Sequence, residues 1–241
     1  KLVNLKVKRE ILNSCSTLKN SITSIAIGGF DGVHRAHQEL FNRLDDNGAV
    51  VVIETGYANL TPKQYREEYT SYPIFYYPLD DIRHLQGAEF VQLLQEHYPN
   101  LKTIVVGYDF HFGNQAKYTT DDLEEFFDGE VVVVDEINHN NIAVHSRIIR
   151  EFLKNGDIVV ANELLNKPYK IYGEVIAGQG LGKKQFVPTL NIDVDHFLLP
   201  KEAIYVTKTT VDGKVYESVS FVGHRITTDG KFAVETHIID E

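Results

Sequence analysis

"SIAIGGFDGVHRAHQEL", residues 24–40, runs from an apolar stretch through three glycines and an Asp-Gly turn to two histidines three residues apart. SIAIG shows no polar alternation, as expected of a strand covered on both faces. Gly28 and Gly29 end that strand, Asp31 and Gly32 turn the chain, and helical spacing begins around His34. A strand, a glycine turn and a helix in that order form the opening unit of a parallel α/β sheet. The turn leaves unpaired amides at the start of the helix, which suit a phosphate, and His34 and His37 share one helical face over the same place. Imidazoles there donate hydrogen bonds to phosphate oxygens. The stretch matches neither G-x-G-x-x-G nor the G-K-[ST] of a P-loop, and its histidines lack the i,i+4 spacing and the Glu of a zinc-protease helix. Taken alone, H-x-x-H reads as two incidental surface histidines; the strand, glycine turn and helix around it favour phosphate.

The same alternation continues to about residue 135. AVVVIE (49–54), PIFYY (73–77), KTIVVG (102–107) and EVVVVDE (130–136) read as further buried strands, and 34–44, 62–68, 87–97 and 120–127 carry apolar residues near helical spacing. This order predicts a doubly wound parallel sheet, with ligands bound beyond the carboxyl ends of the strands, where GGFDGVH and GYDFHFG (107–113) both fall. A helix at 145–155, a break at Gly156-Asp157 and a second helix through Leu165 follow. Beyond NKPY the pattern changes. YKIYGEVIAG, TLNIDV, AIYVTKTTV, KVYESVSFVG and FAVETHIID read as five strands separated by turns such as Asp212-Gly213 and Asp229-Gly230, which predicts a small antiparallel barrel or sandwich. The domains are placed at 1–165 and 166–241.

The 241 residues, 43% hydrophobic and 11% aromatic, suffice for one large core or two modest ones. No run approaches the roughly 18 apolar residues of a membrane span, and KLVNLKVKRE carries no secretory signal, so a cytoplasmic location without a membrane partner is expected. The single Cys15 excludes an intrachain disulfide framework and a multi-cysteine zinc site. A net charge of -10 speaks against a nucleic-acid partner, whereas a small anionic ligand held by amides and a few local cations remains compatible.

GGFDGVHRAHQ closely resembles the G-x-F-D-G-V-H-x-G-H signature of the nucleotidyltransferase module in bacterial bifunctional FAD synthetases (riboflavin kinase/FMN adenylyltransferase), with Ala36 in place of a glycine. GYDFHFG resembles that family's G-x-D-F-x-F-G, and VHSRIIR (144–150) resembles its I-S-S-T-x-I-R segment, with His145 and Arg147 as departures. The resemblance implies ATP and FMN contacts from Gly28, Gly29, Phe30, Asp31, Gly32, Ser146 and Arg150, and catalytic roles for His34, His37 and Asp109. Transfer of an adenylyl group to the FMN phosphate needs no covalent protein nucleophile; positioning and charge stabilisation by amides, the two histidines, a cation and Mg²⁺ suffice.

GEVIAGQGLGKKQFVPTLNI (173–192) joins a glycine-rich loop to Lys183, Lys184 and Pro-Thr-x-Asn, a composition equally suited to a phosphate loop with hard oxygen ligands and to a flexible hairpin. It resembles the riboflavin kinase pattern G-x-V-x-x-G-x-x-x-G-R-x-x-G-x-P-T-A-N. The resemblance implies that Gly178, Gly182 and Lys183 hold ATP, that Thr189 and Asn191 bind both ATP and Mg²⁺, and that Glu235 in AVETHIID is the base that takes the riboflavin hydroxyl proton. Upstream, FVGHRITTDG keeps Gly223 and Arg225 but has Ile226 where the family has Pro. Family members usually continue through another strand and a C-terminal helix, so the kinase domain is expected to be C-terminally truncated.

Three functions follow. The first is a two-domain enzyme that makes FMN from riboflavin and FAD from FMN, using ATP and Mg²⁺. The second keeps only the adenylyltransferase, with a degenerate barrel, and the third is a non-catalytic flavin- or nucleotide-binding regulator.

Overall fold

The computed structural model describes residues 18–177, 188–225, 230 and 232–239. Cys15, Gly178, Gly182, Lys183, Ile226 and Asp229 lie outside them. The chain divides into two compact units, one ending at Val144 and one starting at His145. The second unit therefore begins with the two helices that the sequence reading assigned to the first domain.

The first unit is built on a parallel five-stranded sheet of β1 (Ser24–Gly28), β2 (Gly48–Glu54), β3 (Ile74–Pro78), β4 (Thr103–Gly107) and β5 (Glu130–Val134), in the spatial order β3-β2-β1-β4-β5. Alternate residues of the unbroken apolar runs enter two different cores. Ile25, Ile27, Ala49, Val51, Ile104 and Val106 pack with Phe90, Val91 and Leu94 of the helix Gly87–His97. Ala26, Val50, Val52 and Val105 pack on the other face with Leu40 and Phe41 of the helix Arg35–Phe41. Each fully buried Val, Ile or Leu contributes about 1.5–3 kcal/mol, so covering both faces is what makes continuous hydrophobicity stable as strand. This is the doubly wound sheet that the sequence predicts.

Two local expectations are corrected. Residues 62–68, expected to be α-helical, form a 3₁₀ helix, Lys63–Tyr69, with no side-chain cap and with Lys63 at a φ of 51°. Where no strand was expected, β6 (Asn138–His139) and β7 (Ile142–Ala143) make a hairpin across Asn140 and Asn141. Their φ values of 50° and 62° suit a type I′ turn, which Asn adopts more readily than most residues.

The second unit opens with helices Ser146–Asn155 and Ile158–Leu165, broken where Gly156 takes the left-handed φ of 87° that ends the first. An antiparallel sheet follows: β8 (Glu174–Ile176), β9 (Leu190–Asp193), β10 (Ala203–Val211), β11 (Lys214–His224) and β12 (Phe232–Ile238), in the order β10-β11-β12-β9-β8. Asp212-Gly213 makes the expected two-residue hairpin, with Val211 paired to Lys214. Of the segment 169–178, only Glu174–Ile176 is strand among the described residues. On one face of the sheet, Thr207, Thr209, Ser218, Ser220 and Thr236 join hydroxyl to hydroxyl at 2.7–2.8 Å, which satisfies polar groups that are otherwise costly to bury.

Candidate functional site

In the first unit, β1 has β2 on one side and β4 on the other, so the strand order reverses between β1 and β4. Ligands of open α/β sheets bind in the crevice at such a switch point, beyond the carboxyl ends of the strands. Those ends here are Gly28 and Gly107, the first residues of the two motifs.

The turn after β1 is tightly constrained. Phe30, Gly32 and Val33 have φ values of 48°, 89° and 40°, and only the glycine adopts this without cost. Phe30 and Val33 are held there by burial, each 1% exposed. The Phe30 ring folds back over Gly28, where a Cβ would lie 3.1 Å from it, whereas a Cβ at Gly29 would meet nothing within 4 Å. Gly28 thus serves packing, and Gly29 faces open space.

His34 is the helix N-cap rather than the first helical residue: its Nδ1 accepts the His37 amide N–H at 3.4 Å. This folds its ring onto that of His37, with centroids 3.5 Å apart and planes 19° from parallel. The Phe30 ring meets His37 edge-on at 5.1 Å. An Nδ1 that accepts carries no proton, so the His34 proton sits on Nε2.

The Asp31 carboxylate accepts the amides of Asn59, Leu60 and Thr61 at 2.9–3.1 Å. It clamps the β2–β3 connection to the glycine turn. The Phe30 ring is thus buried and the Asp31 carboxylate engaged by main-chain amides. The same connection is fixed by an ion pair at its flanks, Arg66 Nη1 to Glu54 Oε1 at 2.7 Å, with the arginine side chain 2% exposed. Nearby, burial and Glu67 push the Tyr76 hydroxyl up to about 12.

Asp109, exposed just beyond β4, is held in a short turn: the Phe110 amide donates to the Gly107 carbonyl at 3.0 Å, and a ring nitrogen of His111 lies 2.9 Å from the Asp109 carbonyl. Phe110 and Phe112 stack with centroids 5.7 Å apart and pack with the core beneath, whereas Asp109 is exposed. Ser146 and Arg150 lie on the first helix of the second unit.

In the second unit, Asn191 of β9 and Glu235 of β12 are cross-strand partners, with Thr189 two residues before Asn191. Gly173 is required where the strands draw close, because a Cβ there would lie 2.4 Å from the Asp193 carbonyl oxygen. Arg225 joins the two candidate residues: its Nε donates to Glu235 Oε1 at 2.6 Å and its Nη2 to Asn191 Oδ1. Among the described residues no group of three or more His, Cys, Asp or Glu side chains is placed to hold a metal. Thr189 and Asn191 supply only neutral oxygens. That set fits Mg²⁺ shared with nucleotide phosphates, since Mg²⁺ takes few protein ligands and keeps water and phosphate for the rest.

Arg225 was legible in the sequence as a residue, but its bridge was not. Arg66 and Glu54 gave no signal at all, since 62–68 reads only as a segment with apolar residues near helical spacing.

Residues 165–241 match the family model "Flavokinase: Riboflavin kinase". Among curated relatives, the bifunctional riboflavin kinase/FMN adenylyltransferase of Bacillus subtilis is 27% identical over 230 residues, covering 84% of this chain and 72% of that protein. The enzyme of the same description from Pseudomonas fluorescens is 27% identical over 241 residues, covering 89% and 77%. A solved structure described as a macrolide-efflux protein from Streptococcus pneumoniae shares the fold with a TM-score of 0.78 and 27% identity, covering 92% of this chain and 81% of that one. Among the described residues, no helix is long and apolar enough to cross a membrane. The chain thus carries a riboflavin kinase domain in its C-terminal part, and over most of its length it is a relative of the bifunctional riboflavin kinase/FMN adenylyltransferases of flavin cofactor biosynthesis.

Proposed function

We propose that the chain carries out both reactions: phosphorylation of riboflavin to FMN by a domain beginning near residue 166, and adenylylation of FMN to FAD by the parallel-sheet domain before it. Each uses ATP with Mg²⁺. The observation that carries the reading is that both units present polar constellations of their own: stacked imidazoles at the switch point of one, and Asn191 and Glu235 bridged by Arg225 in the other.

In the adenylyl step an FMN phosphate oxygen bonds to the α-phosphorus of ATP, and the bond from that phosphorus to the bridging oxygen breaks, releasing pyrophosphate. The amides of the turn approach the phosphates, and His34 Nε2–H donates to a phosphoryl oxygen as charge builds there. His37 supports that ring from below, and Asp109 orients the flavin nucleotide. Ser146 and Arg150 are assigned ATP-phosphate contacts by resemblance alone.

In the kinase step Glu235 takes the proton of the riboflavin 5′-hydroxyl as its oxygen attacks the γ-phosphorus and ADP leaves. Thr189 and Asn191 would hold Mg²⁺, which would supply neutralisation of charge on the phosphates; Gly178, Gly182 and Lys183 are assigned phosphate contacts by resemblance alone.

Chromatographic separation of flavins tests the whole reading. With ATP and Mg²⁺, riboflavin is expected to yield FMN and then FAD. FAD from supplied FMN with no FMN from riboflavin would reject the bifunctional version, and binding without either conversion would leave a regulator.

A further inference from the structure

Asn191 and Glu235 face each other across β9 and β12, and a single guanidinium spans them. The Arg225 and Glu235 side chains are 18% and 25% exposed, so the bridge is partly withdrawn from water. A guanidinium and a divalent cation compete for the same oxygen lone pairs. With Arg225 Nη2 at hydrogen-bond distance from Asn191 Oδ1 and a metal about 2.1 Å from that oxygen, the two cations would sit on the order of 4 Å apart. Two cations that close repel each other, the more so where the site is partly withdrawn from water. The guanidinium's hold on Asn191 Oδ1 and a metal's hold on it therefore oppose each other.

We infer that Arg225 is a positioning residue that stands in for the divalent cation between Asn191 and Glu235 until metal-bound nucleotide arrives, and that it leaves Asn191 Oδ1 when the nucleotide is seated. The inference rests on the kinase reading of this unit. Departure of the guanidinium frees the Asn191 oxygen for the metal and the Glu235 Oε1 atom for a hydroxyl proton, so one displacement prepares both groups. The bridge also costs affinity, because metal-bound nucleotide must first break it.

The full chain is titrated with Mn²⁺ and ADP, following bound Mn²⁺ by electron paramagnetic resonance. The part of the binding lost in Asn191→Ala is taken as the site in question. Arg225→Gln is expected to tighten that part at least threefold, with Arg225→Lys between it and the parent. Unchanged or weaker binding in Arg225→Gln overturns the inference. Should the variant fold poorly, the parent chain still decides: the Arg225 Nε–H resonance, assigned by its loss in Arg225→Lys, must move when Mg²⁺ and ADP saturate the site, and a stationary resonance overturns the inference. If the parent shows no Asn191-dependent binding, the kinase reading fails and takes the inference with it. Asn191-dependent binding indifferent to Arg225 sinks the inference alone.

Discussion

His34 and His37 lie ring over ring, 3.5 Å between centroids, because the first caps the helix that carries the second. Capping and stacking hold the His34 ring in place beside the glycine turn, and the proposed adenylyl step uses its Nε2–H toward charge developing on a phosphoryl oxygen. His34→Ala is expected to lower the initial rate of FAD formation from FMN by about 10²–10³, the usual effect of losing one such donor. Formation of FMN from riboflavin is expected to stay at the parent rate, since that chemistry is assigned to the other unit. Parallel rate measurements on both substrates check this, and an equal fall in both would point to general unfolding.

Replacing Glu235 with Gln keeps the shape and a hydrogen-bond acceptor for Arg225 but removes the base. FMN formation from riboflavin is expected to fall by about 10²–10⁴, the range for a general base, with FAD formation from supplied FMN preserved. The two variants thus make a reciprocal pair. A Glu235→Gln protein that still phosphorylates riboflavin at full rate would assign the base elsewhere.

The apolar runs of the first unit were legible because each strand divides its residues between two cores, a demand that only continuous hydrophobicity meets. The segment 62–68 was not, because its near-helical spacing conceals Arg66, a charge 1% exposed and paired to a strand end that local sequence does not reveal. The histidines were legible as residue types but not as a cap and a stack, since His34 lies outside the helix in extended backbone. The same holds for Arg225, Asn191 and Glu235: they are separated by 34 and 10 residues, the antiparallel register pairs Asn191 with Glu235, and Arg225 reaches both from just beyond β11.

The Asp31 carboxylate gathers three amides of the β2–β3 connection, a structural role that the sequence did not show. Asp31→Ala leaves those donors unsatisfied. Hydrogen bonds to a charged group contribute about 1.5–3 kcal/mol each, although water recovers part of that on opening. Amide hydrogen exchange at Asn59, Leu60 and Thr61 is expected to accelerate by at least tenfold, whereas exchange in β1 and β4 changes far less. Asp31→Asn, with one acceptor oxygen retained, is expected to fall between. Unaltered exchange in the connection would mean that Arg66 and Glu54 fix it alone.

Lys167 follows the helix Ile158–Leu165 and is lowered from 10.5 to about 7, first by burial and then by the charge of Lys170. Between those two values the unfolded chain binds more protons than the folded one, so stability is expected to rise with pH from about 7 toward 10. The contribution is greatest above 10.5 and is lost as pH falls through 7, where folding must bury the ammonium. One proton sets an upper slope of about 1.4 kcal/mol per pH unit, with solvent screening reducing it. Urea unfolding at pH 7 and pH 9 is expected to show a larger gain for the parent than for Lys167→Met, which keeps the aliphatic stem without the charge. The variant is also expected to be the more stable of the two at pH 7. Equal pH dependence in both proteins would show that Lys167 stays charged in the folded chain.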